Sequence, residues 1–379
     1  MTGTVSKTEA LVLPEIGAPL VLSQVQLSTL QPDEAVVEMK ATGICHTDIL
    51  FINGTLPSFT PAVFGHEGAG LVLATGTRVS HVSPGDAVIL GVNHCQQCQN
   101  CLEGHPNYCN EGTTRNFGGR RTTDQTTPLT QSTSDLGSVE VFSNFFGQSS
   151  FSRRAVVNGS CLVKVAQDAS LKLFAPLGCG VSTGAGCVIN TLKVKEGSSM
   201  AVFGVGTVGL SAVMAAKINK ARYIIAVDLS EDRLSLAKRL GATHTVLSDT
   251  KEQTIPKIKQ CVPGDGVNYA VDCTGVATVI ETMLECLAPR GRAAQVGLPP
   301  PSQTISINGL QHLLRGQEYV GCAGGDCRLN DMIPFLIEQH RKGNFPLQEM
   351  VACYDYKDHA RAFEDCRSGA AIKAVLVWS

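Results

Sequence analysis

Four cysteines fall within residues 95–109, at Cys95, Cys98, Cys101 and Cys109, spaced C-x₂-C-x₂-C-x₇-C. Thiols that close together can form disulfides, hold an iron–sulfur cluster or bind another metal. Bacterial ferredoxins use C-x₂-C-x₂-C-x₃-C-P, whereas the last gap here is longer and Asn110 follows it. A long final gap loops the chain around and returns one thiolate to complete a tetrahedron. Four thiolates with no open position describe a structural zinc site.

A second set of chemically able residues is spread more widely. Cys45 and Asp48 lie in GICHTD (43–48), His66 and Glu67 in GHEGAG (65–70), and Cys179 in PLGCG (176–180). Each segment is bland by itself, since a single histidine is more often a core or surface residue than a ligand. A third motif, GVGTVG, runs from Gly204 to Gly209. Gly204 permits a tight turn, Gly206 lets backbone approach a pyrophosphate, and Gly209 lets helix and strand pack closely. Asp228, 19 residues beyond Gly209, is placed to accept hydrogen bonds from the adenosine ribose and to repel the extra phosphate of NADP.

The elements that must position these groups come in two kinds. From about Met200 to Val320 strand-like and helix-like segments alternate: SMAVFG, VGLSAVMAAKINKA, RYIIAVD, SEDRLSLAKRLGA, VNYAVDCTG and GRAAQVGLPP. Ser230 is a candidate helix cap and Gly241 a candidate stop. This alternation predicts an α/β unit with a doubly wound parallel sheet. The first 180 residues instead offer short strands such as EAVVEMK, GAGLVLA and DAVIL between Gly, Pro and Asp turns, and predict a mainly β domain. The Thr/Ser-rich stretch 113–134, with Arg115, Arg120 and Arg121, reads as a solvated loop.

At 379 residues two domains are expected, and 43% apolar with 17% charged residues suits substantial cores. Lys and Arg (31) nearly balance Asp and Glu (33) without a basic block, so neither a nucleic acid nor a membrane surface is an expected partner. No signal peptide is read in MTGTVSKTEALVLPEIG, and the charge-free stretch Gly197–Ala216 is too glycine-rich for a span and reads as buried. Fifteen cysteines, an odd number scattered through apolar segments, favour a reducing, cytoplasmic setting over disulfides.

In their order the motifs resemble the zinc-dependent medium-chain alcohol dehydrogenases. The likeness extends through FFGQSSFS (145–152), GCGVSTGAG (178–186), VDLSEDRLSLAKRLGAT (227–243) and CRSGAAIKAVLVW (366–378), and the aryl- or benzyl-alcohol dehydrogenases look most similar. The resemblance implies a split GroES-like catalytic domain, 1–180 with 324–379, and a Rossmann domain, 181–323. It implies two zinc ions per subunit. Cys45, His66 and Cys179 would ligate the catalytic one, and Cys95, Cys98, Cys101 and Cys109 the structural one. Asp48 would steady the histidine, Glu67 would stand behind the metal, and Thr47 would take the alcohol proton. NAD contacts are implied at His46, Thr183, Gly204, Gly206, Thr207, Val208, Gly209, Asp228, Arg233 and Lys373. The implied reaction is hydride transfer between a small primary alcohol, aryl or otherwise bulky, and NAD, in a homodimer or homotetramer. A glutathione-linked formaldehyde dehydrogenase and a non-catalytic cofactor-binding protein are the alternatives.

Three positions depart from the liver-type pattern. Leu50 stands where a histidine relays the proton to solvent. His46 stands where many relatives have a pyrophosphate-binding arginine, so NADH is expected to leave faster and His46→Arg to tighten its binding. Gly91 stands where relatives often place a bulky aromatic, which is expected to widen the substrate pocket. The pocket itself is expected from 56–59, Leu298 and the segment near Ala323.

Overall fold

The computed structural model describes residues 7–133 and 137–379, so the start of the segment read for a leader and Ser134 of the Thr/Ser-rich stretch lie outside the described residues. Two compact units divide the chain: Met1–Cys179 with Arg328–Pro334 and Leu347–Ser379, and Gly180–Cys327 with Phe335–Pro346.

The second unit is built on a six-stranded parallel sheet. Its spatial order is His244–Leu247, Tyr223–Asp228, Ser199–Phe203, Val267–Asp272, Leu287–Gln295 and Glu318–Gly321. Every residue of Ser199–Phe203 is buried, as expected of a parallel strand covered on both faces. The helix Thr207–Ile218 buries Gly209 through Ala216 without interruption, so most of the charge-free stretch is core, with Gly197 exposed at its start. Ser230 caps the helix Glu231–Leu240 by accepting from the Arg233 amide at 3.4 Å, and Gly241 ends it at φ +133°. The strand order reverses beside Ser199–Phe203, and sheets of this type bind ligands outside the carboxyl ends of the strands at such a point. This is the doubly wound α/β fold expected from the alternation.

In the first unit the strand Glu34–Gly43 is the organiser. It pairs antiparallel with Glu67–Thr75, with Arg154–Asn158 along its first half, and with Lys373–Val377 at its far end. Ala87–Leu90 extends the same sheet beyond Glu67–Thr75. A second sheet holds Lys7–Leu13, Val21–Leu27, Ala62–Val63, Leu129–Thr133 and Gly137–Val141.

The solvated-loop reading of 113–134 is corrected here. Gly112–Phe117 is helical, Leu129–Thr133 is a strand, and Arg121 is buried. Its guanidinium grips Glu34 with two bonds, Nε–Oε1 at 2.6 Å and Nη2–Oε2 at 2.8 Å, and also donates to the Thr29 carbonyl at 3.1 Å. A stretch without an apolar run looked solvated, but it is anchored by one buried ion pair. Arg115 and Arg120 do stay partly exposed, paired with Glu111 and Glu140. Among the described residues no single helix is long and apolar enough to cross a membrane.

Candidate active site

The strand pairing brings the second set of residues together. Gly43, last in its strand, lies opposite Glu67 on one side and Val375 on the other. A Cβ at Gly43 would collide with Glu67 Oε2, so only glycine leaves room for that carboxylate. Two residues on, Cys45 caps the helix His46–Ile52, and Asp48, its third residue, reaches back to accept from the Cys45 amide at 2.9 Å. The other oxygen of Asp48 accepts from the Gly65 amide at 3.2 Å and lies 2.9 Å from His66 Nδ1. One carboxylate therefore fixes the capping residue, the turn before His66 and the imidazole itself. Cys179 lies at the break between Ala175–Gly178 and Gly180–Gly186, in non-helical backbone.

Ligand atoms of Cys45, His66, Glu67 and Cys179 all lie within 4.8 Å of one another. Asp48 holds Nδ1 of His66, while Nε2 is buried with no hydrogen-bond partner among the described residues. A buried polar atom is rarely left so, because it costs about 1–3 kcal/mol. Cys45 is held well below its ordinary thiol range, chiefly by its hydrogen bond with Cys179, whose own thiol is pushed well up. Burial opposes charge on His66, yet Asp48 and then Cys45 outweigh it and raise its pKa well above the usual value. Two thiols, one an easy thiolate, and an orphaned imidazole nitrogen held by a carboxylate suit a zinc ion with an open position.

Glu67 belongs to the same cluster, but its partner lies on the other side. Lys373, 3% exposed, donates to Glu67 at 3.0 Å and to the Ile44 carbonyl at 2.9 Å. Burial raises the Glu67 pKa, against the pull of Lys373. Burial by itself would lower that of Lys373, but Glu67 and Cys45 raise it. Lys373 thus lies beneath the cluster, held by the Ile44 carbonyl and Glu67. Thr47 is half-buried, its hydroxyl 3.8 Å from the Cys45 sulfur. His46 is exposed and Leu50 half-buried.

Several neighbours escaped the sequence reading. Gln148 Nε2 donates to the carbonyls of His66 and Gly91, both at 3.0 Å, and its Oε1 accepts from the Gly68 amide at 3.1 Å. Phe146 lies flat on the His66 ring, with centroids 4.3 Å apart and planes 19° apart. Phe145 and Phe117 stand edge-on to Phe146 at 4.9 and 5.2 Å. Phe146 holds φ +50°, a conformation uncommon for a bulky residue and a marker of functional constraint. The signal was present in FFGQSSFS, a motif of the likeness with no role implied for its residues. The widening expected at Gly91 is also corrected. A Cβ there would collide with Leu329 Cδ1, so a side chain from a distant segment occupies the vacated space.

The lobe cysteines converge as their spacing suggested. Their sulfurs all lie within 4.8 Å of one another, and Cys95 and Cys101 are 3.9 Å apart. Four sulfurs about 2.3 Å from a central zinc would stand roughly 3.8 Å apart. Amides already point inward: Cys98 N donates to Cys95 Sγ at 3.2 Å, and Cys95 N to Cys109 Sγ at 3.3 Å. Backbone hydrogen bonds from Asn110 and Cys101 bring the Cys98 thiol down to about 6, ready to serve as thiolate. All fifteen cysteines are free of disulfides.

In the second unit the glycine turn joins Ser199–Phe203 to Thr207–Ile218. Gly204 has φ +81°, and a Cβ on Gly209 would strike the Gly204 carbonyl. A Cβ on Gly206 would project into open space, where a pyrophosphate could approach. Asp228, 8% exposed, accepts from the Val205 amide at 2.8 Å and the Ser230 amide at 3.0 Å. The acid thus ties the glycine turn to the next strand, and each oxygen retains capacity for a ribose hydroxyl. Thr207 and Val208 open the helix, Arg233 lies in the first turn of Glu231–Leu240, and Thr183 is buried on Gly180–Gly186. The residues present suit a dinucleotide.

Comparison with known proteins agrees with this chemistry. Residues 31–167 match the alcohol dehydrogenase GroES-like domain family, and residues 207–338 the zinc-binding dehydrogenase family. The chain is 36% identical to geraniol dehydrogenase of Castellaniella defragrans over 370 residues, covering 98% of this chain and 97% of that one. It is 33% identical over 381 residues to S-(hydroxymethyl)glutathione dehydrogenase of Paracoccus denitrificans, covering 98% and 100%. Among solved structures, benzyl alcohol dehydrogenase of Acinetobacter calcoaceticus superposes with a TM-score of 0.93 at 37% identity, covering 99% and 100%. The chain belongs to the zinc-dependent medium-chain alcohol dehydrogenase family.

Proposed function

We propose that this protein oxidises aryl or similarly bulky primary alcohols with NAD, and reduces the matching aldehydes. The observation that carries the substrate class is the aromatic wall beside His66, formed by Phe146, Phe145 and Phe117. A flat apolar substrate gains stacking and apolar contact there, which a small aliphatic alcohol cannot match. Relatives named for geraniol and benzyl alcohol are in keeping with it.

Cys45, His66 and Cys179 would hold the catalytic zinc, and Cys95, Cys98, Cys101 and Cys109 the structural one. Bound zinc supplies Lewis acidity, and NAD the hydride acceptor. The chain's own residues do the rest. Asp48 fixes the imidazole so that its Nδ1–H donates and Nε2 is left as a ligand. Two thiolates and a neutral imidazole balance a divalent charge, so a neutral aldehyde is not held electrostatically. Thr47 would accept the alcohol proton at its hydroxyl oxygen while giving its own hydroxyl proton on to the cofactor ribose. Leu50 cannot relay that proton, which must then leave through water or another group. Asp228 selects NAD by repelling a ribose phosphate, and Arg233, Thr183, Thr207, Val208 and exposed His46 complete the cofactor contacts. The functional division follows 1–180 with 324–379 as catalytic domain and 181–323 as cofactor domain, although 324–327 and Phe335–Pro346 cluster with the second compact unit. Helix Gly309–Arg315 leaves Leu310, Leu313 and Leu314 more than two-thirds exposed, a surface suited to pairing two copies of the cofactor domain.

The test follows NADH absorbance with purified protein, NAD and ethanol, benzyl alcohol, terpenoid alcohols or the formaldehyde–glutathione adduct, each with and without a zinc chelator. Chelator-sensitive turnover highest on benzyl or terpenoid alcohols is expected. Turnover confined to the glutathione adduct, or none at all with zinc and NAD bound, would refute the reading.

A further inference from the structure

Against the helix His46–Ile52 lies a groove of about 470 Å³, within the range of sites that take small organic molecules, roughly 300–1,000 Å³. It is bounded by residues 17–20, by the helix His46–Ile52 and by the helix His359–Ser368. None of the residues of the zinc-ligating cluster lines it.

The walls are apolar: Pro19, Leu20, Ile49, Ile52 and Phe363. They are also fixed in place. The Gly17 amide donates to the Ile52 carbonyl at 2.8 Å, and His359 lies with its two ring nitrogens 3.1 and 3.2 Å from the carbonyls of Tyr356 and Leu20. Loop and both helices are therefore joined around the opening, and the cavity belongs to the fold rather than to a mobile edge.

One cation lines the groove, Arg367, half-exposed and in contact with Glu364 at 3.2 Å through a single nitrogen. A guanidinium has five donors in a planar fork that matches a carboxylate, so most of that capacity is left over. The adjacent Glu364 leaves little net positive charge, which disfavours a phosphate dianion and leaves room for a monoanion. We propose that this groove binds a small amphipathic monocarboxylate, with its apolar body over Ile49, Ile52, Leu20 and Phe363 and its carboxylate on Arg367. Its occupant presses on Ile49 and Ile52, directly after Asp48 on the helix that begins at Cys45, so binding is coupled to turnover. The ligand site itself does not depend on which alcohol the enzyme oxidises.

Calorimetry of the zinc- and NAD-loaded protein tests this with octanoate and, separately, inorganic phosphate as probes. Octanoate is expected to bind at one site. Arg367→Ala should weaken it about two- to fivefold, as loss of a half-exposed ion pair does, and Ala360→Trp, which places a large ring across the opening, should abolish it. Both substitutions are at exposed positions, and their melting temperatures and basal turnover should match the parent. Inhibition by octanoate in the rate assay should be non-competitive with the alcohol. Absence of binding, equal binding to both variants, competition with the alcohol or equal binding of phosphate would each overturn the proposal. The calorimetric readout needs no turnover, so its failure is distinguishable from failure of the proposed reaction.

Discussion

Replacing Asp48 by Asn removes one charge and almost no volume, and its consequences can be worked out bond by bond. Asp48 accepts from the Gly65 amide on Oδ1, with His66 Nδ1 2.9 Å from the same oxygen, and from the Cys45 amide on Oδ2. An asparagine has one acceptor oxygen. Turned to keep His66 and Gly65, it sets its NH₂ against the Cys45 amide, leaving two buried donors face to face at a cost of about 1–3 kcal/mol. Turned the other way, it loses the histidine. In either case the negative charge that favours Nδ1–H and raises ligand basicity is gone. Loss of such a partner lowers zinc affinity roughly 10–100-fold, or about 1.4–2.8 kcal/mol at 1.4 kcal/mol per tenfold. The assay is competition for zinc between protein and a chromogenic chelator, with the lobe site as internal control because Asp48 is not among its ligands. Selective weakening of one zinc out of two is expected. Asp48→Asn retaining both ions within about twofold of the parent would refute the reasoning.

Arg121→Met strands the buried Glu34 carboxylate and should cost about 3–5 kcal/mol in urea denaturation, much of it recovered in the Arg121→Met/Glu34→Gln double variant; a loss under about 1 kcal/mol would contradict the buried pair. Gly43→Ala drives a methyl group into Glu67, so turnover should fall sharply and stability by about 1–3 kcal/mol, read by rate assay and denaturation. Gly91→Ala should destabilise the parent but be tolerated in a Leu329→Ala background, and Leu329→Ala by itself should raise kcat/KM selectively for the largest aryl alcohols. Burial pushes the thiols of Cys161 and Cys286 up to about 12. At pH 8 both are protonated and should resist iodoacetamide, labelling only as pH climbs towards that value, while exposed Cys353 reacts at once. Chelation of the lobe zinc should add four reactive thiols by mass spectrometry, and Cys161 labelling as fast as Cys353 at pH 8 would contradict its burial.

Much of this protein is written locally. The glycine turn needs only strand, turn and helix in succession, and those are encoded by apolar runs and by Gly204, whose positive φ no neighbour has to impose. The lobe cysteines lie within one short loop, so their spacing was enough to bring four sulfurs together. Burial of Ser199–Phe203 and Gly209–Ala216 followed from composition, since a charge-free apolar segment is driven into the core.

What the sequence left open depends on segments far apart in the chain. Cys45, His66 and Cys179 meet because Gly43 pairs with Glu67 in the sheet and the helix break at Cys179 points back toward it. No local pattern contains that pairing. Lys373 is implied as a cofactor contact, but only the closing of Lys373–Val377 beside Gly43 shows its ammonium buried against Glu67. Arg121 reads as solvated until Glu34 is found beside it. Gly91 reads as a void until Leu329 fills it. Residue types set which chemistries are possible, because donors and ligands are properties of side chains. Which of them desolvate one another, and so acquire their charge state and orientation, was decided only when distant strands paired.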